Sequence, residues 1–251
     1  MKSYYNLPVI SKISGTLYAV LFICFLLTQI SFAQKESYQF ELFTASLEGT
    51  KLSVITPDEN LVLEKEFFHP FSFISDLDED DVQELLIIDS IQTNGNTGFI
   101  LYVFNTIDSF YLADSINSGL IFPYETFSGE IEGLIIVTGN NDFSYLNKES
   151  EIKAIPINCW KFEDGEIFYV NEELYDIFIT ENETVLSSID LEDINHCVKS
   201  TEMKSLLATV YINSLNAGEK ASAENFLKTF YLCEDIEKFK EELDSLFYKE
   251  N

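Results

Sequence analysis

Residues Ser75–Ile88 read SDLDEDDVQELLII, with six acids crowded into 76–84 and then an apolar run. Leu85–Ile88 has the length and apolar continuity of a packed strand, as does Phe71–Ser75 ahead of it. Two strands around an acidic loop make a hairpin. Within the loop, Asp76, Asp78, Asp80 and Glu84 occupy positions one, three, five and nine. A loop curling round a hard cation points alternate side chains inward and adds a carbonyl at position seven, here Val82. Calcium accepts six to eight such oxygens at about 2.3–2.6 Å. The alternative is a solvated acidic turn whose internal repulsion is screened by water and salt.

The stretches around this hairpin are also strand-like. Tyr38–Ser46, Lys51–Thr56 and Leu61–Glu66 are short β-prone runs separated by turn formers such as Glu48-Gly49 and Pro57-Asp58. Glu84–Ile91, Gly98–Asn105, Ser109–Ala113, Gly133–Thr138, Ile152–Phe162 and Glu166–Val170 follow, with turn signals at Thr93-Asn94-Gly95-Asn96 and at Asp164-Gly165. Trp160–Val170 (WKFEDGEIFYV) reads as one tight hairpin. No helical period intervenes, which predicts antiparallel pairing rather than βαβ units. After Ser200 the period turns helical. Met203, Leu206, Leu207, Val210 and Leu215 form one stripe that Gly218 ends. Ser222 is the expected N-cap of a second segment with its stripe from Phe226 to Phe247. The predicted class is α+β: a predominantly antiparallel β domain over 34–171, an acidic connecting segment over 172–200, and a C-terminal α-helical hairpin within 201–251.

The pattern D-x-D-x-D-x-x-x-E followed by L-L-I-I resembles the calcium loop of FG-GAP/VCBS-type repeats, the β-hairpin units of integrin-like propellers and of many secreted bacterial proteins. The resemblance covers about 67–112, including GFILYVFNTIDSFYL as the next hairpin. It implies a hairpin clamped by structural Ca²⁺, with Asp76, Asp78, Asp80 and Glu84 as side-chain ligands and Val82 ligating through its carbonyl. Such loops carry glycine at positions four and six, where this chain has Glu79 and Asp81. A full propeller needs four or more blades, and only this one loop has the acid spacing. EGLIIVTGNNDFSYL echoes a strand–turn–strand unit without the ligand spacing. Propeller-blade-like hairpins, not a full propeller, are therefore expected.

Composition narrows the functions. The formal net charge is −28, and every cation is lysine. A field this negative repels polyanions, which argues against nucleic-acid binding. Met1–Lys12 is basic, Gly15–Phe32 is apolar, and Ser31-Phe32-Ala33 offers a small-x-small site. These read as a secretory signal peptide over 1–33 cleaved after Ala33; the competing reading is a retained anchor. Cleavage predicts an exported protein, periplasmic or extracellular, with no membrane span left. Cys159, Cys197 and Cys233 remain, an odd number. Buried unpaired thiols are one reading, and a Cys159–Cys197 bridge is the candidate disulfide. No nucleophile elbow, phosphate loop, dinucleotide fingerprint or zinc-protease motif occurs. His69 and His196 lie far apart in the chain, and no catalytic residue can be named. Trp160 and the many Tyr and Phe residues are a candidate carbohydrate platform, with core packing as the plainer alternative. The expected function is a secreted non-enzymatic binding or structural protein with a protein or carbohydrate partner at the cell surface. The alternatives are a secreted hydrolase of glycosidase-like carboxylate chemistry and an inhibitor of a cationic enzyme.

Overall fold

The computed structural model describes residues 35–93, 96–148, 154–187 and 197–250. The signal-peptide region, the Asn94-Gly95 turn tip and His196 lie outside the described residues. Three four-stranded antiparallel sheets follow one another along the chain. The first holds β1 (Lys35–Gln39), β2 (Thr44–Glu48), β3 (Lys51–Ile55) and β4 (Leu61–Glu66). The second holds β5 (Pro70–Ser75), β6 (Glu84–Thr93), β7 (Asn96–Asn105) and β8 (Tyr111–Gly119). The third holds β9 (Tyr124–Phe127), β10 (Leu134–Gly139), β11 (Ile157–Glu163) and β12 (Glu166–Tyr169). Each is a meander in which sequence neighbours pair. With the C-terminal helices this is an α+β fold, and among the described residues no sheet closes into a barrel or propeller.

The sheets stack face on face. Ala45, Leu47, Leu52 and Val54 of the first meet Leu85, Ile87 and Phe104 of the second. Leu86, Ile88, Leu101 and Val103 on the opposite face meet Ile136 and Phe162 of the third. The middle sheet is thus covered on both sides, which is why Leu85–Ile88 is an apolar run rather than an alternation. The first sheet alternates: Thr44, Ser46, Lys51 and Ser53 are half-buried between fully buried neighbours. A polar outer face ends a stack, because it offers no apolar surface for a further layer. At the opposite end, Ile135, Val137, Ile157 and Cys159 are covered by Leu174, Ile177 and Phe178.

The last two of these covering residues belong to helix α1 (Tyr175–Ser187), which lies in the segment expected to be a connector. Helices α2 (Cys197–Glu202), α3 (Lys204–Asn216), α4 (Lys220–Phe230) and α5 (Ile236–Glu250) follow. α3 is buried all round, where the stripe predicts one covered face. Two of its hydroxyls are satisfied locally: Thr209 Oγ1 donates to the Ser205 carbonyl at 2.9 Å and Ser214 Oγ to that of Val210 at 2.7 Å. The α3–α4 hairpin forms, but the second arm breaks at Tyr231–Asp235 into α4 and α5. Ser222 is not the cap; it sits inside α4 and its hydroxyl bonds Glu219. No helix among the described residues is long and apolar enough to cross a membrane.

Other expectations need correcting. Tyr38–Ser46 is not one strand but two, turned at Phe40–Phe43, where the Phe40 N–H reaches the Phe43 carbonyl at 2.9 Å. Beyond β10 the chain enters a 3-10 helix, Asn141–Lys148, rather than a second strand. The Asp164-Gly165 hairpin is as expected, with φ of 52° and 81° and Glu163 paired to Glu166. Glycine suits 165, where the backbone is left-handed and a Cβ would meet the ends of the Asn105 and Tyr111 side chains.

The disulfide joins Cys197 to Cys233, not Cys159 to Cys197, and ties α2 to the α4–α5 junction. Cys159 is unpaired because β11 points it into the apolar layer under α1, away from the surface where Cys197 lies. Peptide mapping without reductant, on protein beginning at Gln34, should recover Cys197 linked to Cys233, with Cys159 alkylated only after unfolding. A Cys159-linked peptide would overturn the pairing. Replacing Cys197 and Cys233 by serine, which opens a loop of sequence separation 36, should cost about 4 kcal/mol by urea unfolding.

Candidate metal centre

The acidic loop joins β5 to β6, whose facing residues Ser75 and Glu84 pair. It is fastened at both ends. Leu77 is fully buried between the second and third sheets, and its carbonyl accepts the Leu134 N–H at 3.1 Å. That approach needs Gly133, whose φ is 86° and whose added Cβ would press on the Leu77 oxygen at 3.2 Å. At the far end Thr106 Oγ1 donates to the Gln83 carbonyl at 2.7 Å. Between these anchors the loop curls on itself. Asp76 accepts the N–H groups of Asp80 and Asp81, both at 3.1 Å, and Asp80 accepts that of Val82 at 2.8 Å.

Glu79 and Asp81 take φ values of 60° and 69°. This left-handed backbone is costly for any residue with a Cβ, by about 1–2 kcal/mol. These are positions four and six, where FG-GAP/VCBS-type loops carry glycine, so the residue types depart from that pattern while the backbone does what glycine would do.

The curl brings Asp76, Asp78 and Glu84 together, with one oxygen from each inside a set no wider than 4.8 Å. Two oxygens bound to one Ca²⁺ at about 2.3–2.6 Å can be no farther apart than about 5.2 Å. Of the other expected ligands, Asp80 is not in this group, and Val82 lines an adjoining cleft with Asp76, Asp81 and the Phe40–Leu42 turn. Glu84 is 0 % exposed. Its Oε2 accepts the Leu77 N–H at 3.0 Å, while its Oε1, like Asp78 Oδ1, is buried with no partner. No ion pair among the described residues involves the group.

Burial pushes the Glu84 carboxyl up to about 7, with the charges of Asp78 and Asp80 adding to the rise and the Leu77 N–H opposing it. Burial, then the Asp80 charge, also raises Asp78. Carboxylates in this position need a proton or a cation. A further half-buried acid, Glu125 of β9, accepts from Ser75 Oγ at 3.0 Å and leaves its buried Oε1 unpartnered. Nothing in the YETF run of β9 marks it; only the stacking of sheets brings it beside the loop.

The remaining sequence candidates have structural explanations. Asp89, 2 % exposed, accepts the backbone N–H groups of Phe68 and His69 at 2.9 and 2.7 Å, so His69 sits at a capped turn. Burial pushes the Cys159 thiol well above its ordinary range, which leaves it inert. In comparison with known proteins, no family model, no curated protein and no solved structure matches the chain.

The raised Glu84 carboxyl has a defined stability signature. A folded state that holds its proton more tightly than the unfolded chain keeps its full advantage below about 4.5 and loses it as pH climbs through about 7. With chelator present, urea unfolding should therefore show a loss on the order of 3 kcal/mol between pH 4.5 and 7 from this group. Glu84→Gln should flatten the profile and, at pH 8 in chelator, be more stable than the parent. A parent profile that is flat or rises over that window contradicts the assignment.

Proposed function

We propose that the Asp76–Glu84 loop is a structural calcium site, and that the chain is an exported, non-enzymatic binding or structural protein whose β5–β6 hairpin the ion locks. The observation that carries this reading is the fully buried Glu84, clustered with Asp76 and Asp78: its Oε1, like Asp78 Oδ1, is buried without a partner, and no ion pair among the described residues reaches them. The donors are all oxygen, which suits a hard ion. Several carboxylates on one short loop suit Ca²⁺ better than Mg²⁺, which keeps its waters and demands near-octahedral geometry. The left-handed backbone at Glu79 and Asp81 supports the same reading, since it gives the loop its curl at a cost that an ion offsets.

The raised Glu84 carboxyl does not favour the hydrolase alternative. A general acid must meet its substrate, and Glu84 has no exposed surface at all. Export draws support from the basic-then-apolar N-terminal sequence and from the Cys197–Cys233 bridge, which an oxidising compartment preserves.

The test is a thermal melt of protein beginning at Gln34 in Ca²⁺, Mg²⁺ or chelator. Calcium at a hundred times its dissociation constant should add about 2.7 kcal/mol, or roughly 5–10 °C. Asp78→Asn should remove the gain. Glu79→Gly should raise the melting point in chelator, by about 1 kcal/mol of relieved strain, and retain the calcium response. A melt indifferent to calcium and chelator alike contradicts the proposal.

A further inference from the structure

A second concavity lies on the seam between the second and third sheets. It is about 330 Å³, at the small end of the ~300–1,000 Å³ range of small-molecule sites. Asp114 and Asn117 of β8 line one side; Asn140, Asp142, Asn158 and Trp160 line the other. The buried members are locked by a chain of hydrogen bonds that fixes which way each amide faces.

Asn171 Oδ1 accepts the Cys159 N–H at 2.6 Å, which turns its Nδ2 toward Asn158 Oδ1 at 3.4 Å. Asn140 Oδ1 accepts the Asp142 N–H at 3.0 Å, which turns its Nδ2 toward the same oxygen at 3.5 Å. The Tyr169 hydroxyl also donates to it at 3.5 Å. With donors gathered on the side of its oxygen at 3.4–3.5 Å, Asn158 presents its Nδ2 the other way. That nitrogen has no acceptor among the described residues and is not sealed from solvent, although Asn158 as a whole is only 7 % exposed. The half-buried Trp160 ring is held as firmly, by Nε1–H to Thr138 Oγ1 at 2.8 Å and by an edge contact with Tyr169 at 5.2 Å between centroids.

We infer that this crevice binds a neutral carbohydrate of one or two sugar rings. An oriented amide donor beside the exposed acceptors Asp114 and Asp142 matches vicinal hydroxyls, each of which both donates and accepts. The negative face of an indole attracts the weakly positive C–H face of a pyranose. No lysine lines the crevice, so an anion has no counter-charge; Asp114, Asp142 and the indole face would draw a cation too, and it is the outward donor set among acceptors that matches a sugar's hydroxyls. The inference deepens the binding-protein reading by naming a ligand class, but does not rest on the calcium loop.

Trp160 is the chain's single tryptophan, so its emission reports this crevice alone. Protein beginning at Gln34 is titrated with maltotriose, cellotriose, mannotriose and tri-N-acetylchitotriose, and with trigalacturonate and spermidine as charged probes. The expected result is a saturable emission change with at least one neutral sugar, weaker or absent with both charged probes, and unaltered by chelator. Asn158→Asp keeps the shape and the accepting oxygen but removes the outward donor, and should weaken binding about tenfold, the loss of one hydrogen bond. Asp142→Ala, at the exposed rim, should weaken it in the same direction. No response to any neutral sugar, equal response to a charged probe, or a response that neither variant alters overturns the inference. Because the titration is run with and without chelator, it stands or falls separately from the calcium melt.

Discussion

Glu84 occupies the first position of a strand whose next four residues are fully buried, and it shares their burial. A carboxylate there has lost its water and regained one backbone N–H in return. An uncompensated buried charge is among the most expensive features a fold can carry, so the hairpin has two low-energy states, protonated or cation-bound. Which of them the protein occupies at neutral pH is decided by the neighbours. Asp76 and Asp78 bring further negative charge to the same small volume, which makes a single proton a poor solution and a divalent ion a good one.

The stack of sheets is what keeps Glu84 buried. The middle sheet receives apolar layers on both faces, so its central strands have no solvent side on which an acid can escape. The loop is gripped from the third sheet through Leu77, Leu134 and Gly133, and from the β7–β8 turn through Thr106. The polar outer face of the first sheet and the helices over the third close the two ends. The seam that brings β9 beside the acidic β5–β6 loop also creates, farther along β8, β10 and β11, the crevice at Trp160.

Much of this was legible in the residues. The strands of the middle sheet announce themselves because burial on both faces writes an apolar run, and the Asp164-Gly165 turn because only one hairpin geometry suits that pair. Of the loop's alternating acids, Asp76, Asp78 and Glu84 lie together. The spacing does not foresee that Asp80 turns to the Val82 amide, since a short Asx-type bond competes with convergence on a shared centre. Helix α1 was missed because its covered face is small, with Ile177 and Phe178 beside a buried Asn182, too little apolar signal to show a period. The disulfide and Glu125 depend on contacts between elements distant in the chain, which residue spacing does not encode. Tyr38–Ser46 read as one strand because the turn residues Phe40, Leu42 and Phe43 are themselves apolar.

The most direct measurement is a crystal structure of the protein grown with millimolar Ca²⁺ near pH 8, with anomalous data collected to locate the ion. One strong peak is expected, bonded at about 2.3–2.6 Å to oxygens of Asp76, Asp78 and Glu84, with Glu79 turned to solvent. Density showing that group without an ion, with Glu84 still buried and the three carboxyls held by protons or water alone, would contradict the calcium assignment.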